Sequence, residues 1–246
     1  MNVAPKDHRG PGDRIMVVVA HPDDAEFACA GSVAAWTREG REVVYVLVTS
    51  GDKGTEDPRI IPSEFAKLRE QEQRNVCDIL GVGEIEFLRN EDGVVQNTLD
   101  LRKQIVRAIR MHKPSAVITQ NPTARWMGNY INHPDHRATG DATMDAVFPS
   151  ARDVHMFPEL LLKEGLGPHI VDHLYLGDRT ESAEVVFDIT ETMDTKVSAL
   201  KAHVSQVSDP DSVGGFLREN AKVIGERVGM GFGESFKYFY LGKDRG

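Results

Sequence analysis

Hydrophobic positions change their spacing repeatedly along the first half of the chain. Continuous apolar runs rich in β-branched residues predict buried strands at 15–20, 43–48, 85–88 and 116–119. Between the strands, apolar residues recur every three or four positions, which predicts helices at 25–39, 64–80 and 99–112. This alternation of strands and helices is typical of a parallel sheet with helices on both faces.

The second half is less regular, but the same two patterns recur in it. They predict helices at 135–147, 190–204 and 219–227, and strands at 171–176 and 185–189. The chain contains no internal repeat, and no linker divides it. We therefore predict an α/β fold with a Rossmann-like, mostly parallel sheet, as a single domain at 14–246 that follows a flexible lead-in at 1–13.

Composition excludes several classes of protein. The 246 residues include 29 basic and 38 acidic side chains, and no run of Lys and Arg could follow a phosphate backbone, so nucleic-acid binding is not expected. The first residues do not resemble a signal peptide, and the apolar run at 15–20 is too short to span a bilayer. We therefore expect a cytoplasmic protein without a membrane partner. The composition does not determine the oligomeric state, and a homo-oligomer is compatible with it.

Two cysteines, Cys29 and Cys77, lie among the apolar residues of predicted helices. They do not form a Cys-x-x-Cys pair, so we predict two buried, reduced thiols and no thiolate zinc site. Any metal site must therefore consist of imidazoles and carboxylates.

The residues that follow the predicted strands carry the candidate chemistry. In an open parallel sheet, ligands bind beyond the carboxyl ends of the strands. The first strand is followed by His-Pro-Asp-Asp at 21–24, and polar loops follow the next three strands, at 49–54, 89–93 and 121–136. A dinucleotide site would need a glycine-rich turn after the first strand, and two carboxylates there would repel a pyrophosphate. The same turn would attract a cation.

Two short motifs contain the residue types of a catalytic metal site. His21 and Asp24 are three residues apart at a strand-to-helix junction, and His133 and His136 are also three apart. Imidazole and carboxylate are the usual non-thiolate zinc ligands, and a catalytic zinc keeps three protein ligands and one open position. Four candidates exceed that need, so we expect some of them, together with Asp23, to act on substrate and water. For any one of these residues alone, a helix cap or a solvated turn is the commoner explanation.

At these motifs the sequence resembles the PIG-L/LmbE-like deacetylase family. Ala-His-Pro-Asp-Asp at 20–24 and His-Pro-Asp-His at 133–136 are similar to the two signature motifs of the family. The family includes enzymes that deacetylate N-acetylglucosaminyl-inositol, bacillithiol and mycothiol precursors and diacetylchitobiose, and the pattern here is most similar to the diacetylchitobiose type. The further matching positions are Arg69, Glu72, Leu80-Gly81, Asp92-Gly93, 187–190, Lys196, Ala199, Lys201, His203 and Gln206.

The resemblance covers residues 14–206, with two departures. Many members have Glu directly after the second Asp of the first motif, whereas here Ala25 intervenes before Glu26. The tail after Gln206 matches poorly. We expect substrate selectivity to be set in that tail and in the loop at 123–131.

The resemblance implies a role for each matching site residue. The implied ligands of one Zn²⁺ ion per chain are His21, Asp24 and His136. Asp23 is implied as the general base and His133 as the electrostatic partner of the oxyanion. Arg69 and Asp92 are implied to bind the substrate. Other divalent metals such as Fe, Co or Mn suit the same ligand types.

Residue chemistry leaves alternatives at several positions. From its sequence context alone, Arg69 is better explained as a solvated helix-surface group that pairs with Glu72. Asp135 either orients a histidine through its second ring nitrogen or is a carboxylate favoured at a helix N-terminus. Trp126 and Tyr130 either stack on a sugar ring or pack within their loop.

The predicted reaction is removal of the N-acetyl group from an N-acetylglucosamine-type small molecule. A cation that lowers the pKa of bound water to about 7, a carboxylate that accepts its proton and a donor to the oxyanion supply what amide hydrolysis needs. Because a fold does not fix a function, the alternatives are hydration of a small unsaturated acid or hydrolysis of another amide at the same site, and a catalytically silent binding module. Acetate release from acetamides, tested beside acidic alkenes and with Asp23→Asn, separates these hypotheses.

Overall fold

The computed structural model describes residues 10–178 and 183–242. Among these residues the strands are Arg14–Val19 (β1), Glu42–Thr49 (β2), Glu84–Asn90 (β3), Ala116–Gln120 (β4), Trp126–Met127 (β5), Tyr130–Ile131 (β6), His173–Gly177 (β7), Val185–Asp188 (β8) and Gly233–Tyr240 (β9). The α-helices are Asp24–Ala28 (α1), Ala30–Arg38 (α2), Pro62–Leu80 (α3), Leu99–His112 (α4), Pro134–Asp145 (α5), Pro158–Glu164 (α6), Met193–Lys201 (α7) and Pro210–Glu226 (α8).

Seven strands form one mixed sheet in the order β3-β2-β1-β4-β7-β9-β8. The first five strands in that order are parallel, whereas β9 runs antiparallel to both of its neighbours. The short strands β5 and β6 form a separate antiparallel hairpin. The predicted α/β fold with a mostly parallel sheet is confirmed.

Both faces of the sheet are buried, which explains the continuous apolar run of β1. Ile15, Val17 and Val19 pack with the helices on one face, whereas Met16 and Val18 pack with those on the other. Successive side chains of a strand point to opposite faces, so every side chain of a strand that is covered on both faces is buried and apolar residues are favoured at all positions. Polar groups are therefore concentrated beyond the strand ends.

Several predicted boundaries differ from the observed ones. The helix predicted at 25–39 is two helices, because Cys29 leaves helical geometry with φ −147°. The segment at 190–204 begins as a 3₁₀ turn, Thr190–Thr192, before α7. The helix predicted at 219–227 starts earlier, where the Asp209 carboxylate accepts from the first backbone N–H groups of α8. Strand β9 and helix α6 were not predicted.

The start of the described chain is packed on the domain. The Ser115 hydroxyl donates to the Pro11 carbonyl at 2.9 Å, and Arg41 donates to the Gly12 carbonyl at 2.8 Å. Residues 1–9 of the predicted lead-in lie outside the described residues. Both predicted thiols are confirmed as buried and unbridged. Among the described helices, none combines the length and the apolar character that crossing a bilayer requires.

Candidate metal and catalytic site

His21, Asp24 and His136 meet at the carboxyl end of the sheet. β1 ends at Val19 and α1 begins at Asp24, so the turn between them brings the side chains of His21 and Asp24 close together. Nδ1 of His21 lies 3.3 Å from Oδ2 of Asp24, and Nε2 of His136 lies 3.0 Å from Oδ1 of the same carboxylate. The structure thus brings the three residues implied as ligands around one point.

A third imidazole, that of His133, lies beside the first two. One ring nitrogen from each of His21, His133 and His136 lies within 4.8 Å of the others. His133 is the N-cap of α5, and its Nδ1 accepts from the backbone N–H of Asp135 at 3.2 Å. Its side chain is 41% exposed, against 12% for His21 and 19% for His136, so it presents the most accessible ring.

The second ring nitrogen of His21 faces two more carboxylates. Nε2 lies 3.1 Å from Oδ1 of Asp92 and 3.3 Å from Oδ2 of Asp135. Asp135 is fully buried in the first turn of α5, and its two oxygens also accept from the backbone N–H groups of Gly93 and Val95. Asp135 therefore both contacts the second nitrogen of a histidine and lies at a helix N-terminus, the two explanations that the sequence left open. A carboxylate on the second nitrogen of an imidazole is the usual arrangement around a metal-binding histidine.

The donor set and the charge of this group fit a cation. Burial alone lowers the pKa of His21, but hydrogen bonds to Asp135, Asp24 and Asp92 raise the pKa of its imidazole to about 12. Such a shift reflects a strongly negative potential at the ring. Imidazole nitrogens and carboxylate oxygens are also the donors that zinc prefers in the absence of thiolates.

Asp23 has a strained backbone next to this group. Its φ of 92° and ψ of -25° lie in the left-handed region, which non-glycine residues rarely occupy. Nη2 of Arg69 donates to Oδ2 of Asp23 at 2.8 Å, and the backbone N–H of Asp23 donates to Oε1 of Gln73 at 3.2 Å. Burial and the charge of Asp24 raise the pKa of Asp23 to about 7, against the lowering influence of Arg69.

Arg69 and Asp92 both line a cavity that opens beside His21. Arg69 is 4% exposed and also donates to the carbonyls of Gly51 and Pro22, so the explanation as a solvated helix-surface group is wrong. A Cβ at Gly51 would lie 2.1 Å from Nη1 of Arg69, so this glycine makes room for the guanidinium. Asp92 accepts from the backbone N–H of Lys53 at 2.9 Å as well as facing His21. Their role in substrate binding stays a prediction.

A buried polar chain behind Asp23 was missed from the sequence. Nε2 of Gln73 lies 3.3 Å from both oxygens of Glu26, and Nε2 of His203 lies 3.0 Å from one of them. All three side chains are fully buried. His203 is a buried residue of the interior and does not line the cavity beside His21. The available signal for Gln73 was its place four residues after Arg69, on the same face of α3.

A cavity of about 1170 Å³ opens from the histidine group. Trp126 and Tyr130, 71% and 55% exposed, form part of its wall, and their stacking on a sugar ring stays a prediction. The cavity also reaches α8 and the first residues of β9. It is therefore bounded by both the motif loops and the tail after Gln206.

The chain is similar to known deacetylases in sequence and in structure. It is 31% identical to a diacetylchitobiose deacetylase of Thermococcus kodakarensis over 229 residues, which cover 92% of this chain and 82% of the relative. The solved N,N'-diacetylchitobiose deacetylase of Pyrococcus horikoshii superposes with a TM-score of 0.84 at 29% identity, covering 93% of this chain and 84% of the other.

A solved hydratase shares the fold as well. The 4-carboxy-2-hydroxymuconate hydratase of Pseudomonas putida has a TM-score of 0.74 at 16% identity, covering 95% of this chain and 99% of the other, and this likeness shows the fold alone. The family model described as GlcNAc-PI de-N-acetylase matches residues 16–147, which include both histidine motifs. The resemblance inferred from the motifs is therefore confirmed, and the chain belongs to the PIG-L family.

Proposed function

We propose that this protein hydrolyses the acetamide of an N-acetylglucosamine-type amino sugar with the help of one divalent cation, Zn²⁺ being the first candidate. The observation that supports it most directly is the position of Asp23, next to Asp24 and held in a strained conformation in the lining of a large cavity. The deacetylase relatives suggest the substrate class.

His21, Asp24 and His136 would hold the cation, since they bring two nitrogen donors and one carboxylate to one point. A cation bound there supplies Lewis acidity towards the acetyl carbonyl and the attacking water. Asp135 and Asp92 would fix the ring of His21 by accepting from its second nitrogen. Because Asp92 also lines the cavity, a sugar hydroxyl is its proposed substrate contact.

Asp23 would accept the proton of the attacking water. Arg69 holds that carboxylate in place, and its own position in the cavity lining suits a contact with the substrate. His133 would donate from its exposed ring nitrogen to the developing oxyanion, since its other nitrogen is occupied by the N–H of Asp135. A donor in that position typically contributes about 10²–10³ in rate.

Acetate release from a panel of N-acetylglucosamine glycosides tests the proposal. We expect release by the metal-loaded protein, loss of release after treatment with a chelator, and recovery when Zn²⁺ is added back. Acidic alkenes assayed in parallel report any hydratase reaction at the same site. Absence of acetate from every glycoside of the panel would contradict the proposal.

The variant Asp23→Asn separates the general base from the metal ligands. We expect it to lower kcat by roughly 10²–10⁴-fold, the usual contribution of a general base, while its metal content stays at the wild-type level. Asp194→Asn is the matched control, because that carboxylate is 88% exposed and does not line the cavity. An Asp23→Asn protein that had also lost its metal would show that Asp23 is a ligand.

A further inference from the structure

The cavity extends well beyond the histidine group. From β1, which leads into the turn that contains His21, the strand order runs through β4 and β7 to β9, so β9 lies about 14 Å from β1 at the usual spacing of strands. The far side is formed by α1, α8 and the start of β9. The volume of about 1170 Å³ exceeds the roughly 300–1,000 Å³ of most small-ligand pockets. A single amino sugar beside His21 therefore leaves the far side open.

A cluster of five apolar side chains lines this far side and defines the apolar end of the cavity. Its members are Phe27, Phe216, Leu217, Ala221 and Ile224. Four of the five lie on one face of α8, at helical spacing, and Phe216 is 51% exposed. An exposed aromatic ring in the wall of a cavity can pack against an apolar ligand.

Two charged side chains that line the apolar end, Lys196 and Glu234, form an ion pair with each other. Nζ of Lys196 lies 2.6 Å from Oε1 of Glu234, and the Glu234 carboxylate also accepts from the backbone N–H groups of Gly31 and Ser32. Among the described side chains of α8, Asn220 is the polar one that lines this end. Asp178 and Ser235 also line the cavity here, and the Ser235 hydroxyl already donates to the Asp178 carbonyl. Sugar hydroxyls buried against the apolar side chains would lose their hydrogen bonds to water. Methylene groups or an aromatic ring would match the walls.

We propose that the apolar end binds an alkyl or aryl group joined to the amino sugar, so that the preferred substrate is an N-acetylated amino sugar with an apolar aglycone. The inference rests on the proposed deacetylase function, because the acetamide must lie beside His21 in the same cavity. The occupant belongs to the substrate because the apolar end and the histidine group share one continuous space.

Paired glycosides test the inference. We expect the hexyl β-glycoside of N-acetylglucosamine to have a kcat/KM at least about tenfold above that of the methyl glycoside, since several methylenes become buried. Phe216→Ala should reduce this preference by about threefold or more. Val223→Ala is the matched control, because Val223 is 44% exposed on the same helix but does not line the cavity, and it should keep the wild-type preference. Equal values for the two glycosides, or a preference for diacetylchitobiose over the hexyl glycoside, would overturn the inference.

A binding measurement distinguishes failure of this inference from failure of the deacetylase proposal. If neither glycoside releases acetate, the deacetylase proposal fails, and calorimetric titration with hexyl and methyl β-glucosides, which lack an acetamide, still reports on the apolar end. Tighter binding of the hexyl compound that weakens in Phe216→Ala supports an apolar ligand there. Equal binding of the two compounds, or no binding, overturns it.

Discussion

The two ends of the cavity use charged side chains in opposite ways. At the polar end, formed by His21, Asp23, Asp24 and their neighbours, three carboxylates lie within 3.3 Å of one imidazole, and the backbone of Asp23 is strained. At the apolar end, Lys196 and Glu234 form a balanced ion pair, 3% and 4% exposed. Crowded like charges and strain cost stability and persist where a function requires them. The polar end is therefore arranged for chemistry, and the apolar end for stability and shape.

Removing an imidazole from the polar end should have the largest effect on activity. His136→Gln deletes the group that lies 3.0 Å from Asp24 while keeping a polar side chain of similar length. Loss of a residue that only orients a ligand costs about 10–100-fold, so we expect loss of a ligand to lower kcat/KM by more than about 100-fold and to lower the bound metal. Acetate release and elemental analysis of the purified variant measure the two effects.

His155→Gln is the control for that experiment, because His155 is exposed and lies outside the cavity lining. Its activity and metal content should equal those of the wild type. A His136→Gln protein that retained full metal content would contradict the role proposed for His136 and with it the contrast between the two ends.

At the apolar end we expect a loss of stability. Lys196→Met keeps the length of the side chain but leaves Glu234 without its counter-charge in the interior. Breaking a buried pair in this way typically costs about 3–5 kcal/mol in the free energy of unfolding, which urea denaturation measures.

The matched control for the apolar end is Lys222→Met on α8. Nζ of Lys222 lies 3.8 Å from Glu226 in an exposed pair, so its loss should cost at most about 1 kcal/mol. If Lys196→Met lowered the free energy of unfolding by no more than this control, the N–H groups of Gly31 and Ser32 would suffice to stabilise Glu234. The ion pair would then contribute little to the stability of the fold.

The polar end could be predicted from the sequence because its information is local. The tetrapeptide at 21–24 follows β1, and the one at 133–136 ends the segment that leaves the sheet after β4. Because β1 and β4 are parallel neighbours, their carboxyl ends lie at the same edge of the sheet. The sequence offered Asp135 as a partner of some histidine, but it could not reveal that this histidine is His21 or that Asp92 contacts the same nitrogen. Asp92 reaches it from the turn after β3 and Asp135 from the first turn of α5, and those contacts depend on tertiary packing.

The apolar end could not be predicted in the same way, because its contacts join distant parts of the chain. Glu234 accepts from Gly31 across 203 residues. The pair Gly214-Gly215 interrupts the helical pattern of α8, although Gly214 packs closely on Val197 of α7. A usable signal existed in β9, where Phe236 and Tyr238 alternate with polar residues at the period of a strand.

The smallest effect is expected from Gln73, which links the interior to the polar end without entering the cavity. Gln73→Leu keeps the volume of the side chain and removes its contacts with the backbone N–H of Asp23 and with Glu26. The left-handed conformation of Asp23 then loses one of its supports, and the carboxylate shifts away from the histidine group. We expect kcat to fall by about 10–100-fold, as for other residues that orient catalytic groups, with KM within about twofold.

The division between kcat and KM decides whether Gln73 positions the catalytic group or only supports the fold. A general loss of folded protein would lower the apparent kcat in proportion to the fraction unfolded, so the free energy of unfolding is measured on the same sample. Gln71→Leu is the matched control, because Gln71 is exposed on the same helix and pairs with Asn75, and it should leave both constants unchanged. A raised KM with an unchanged kcat would place the effect on substrate binding, and Asp23 would then keep its position without help from Gln73.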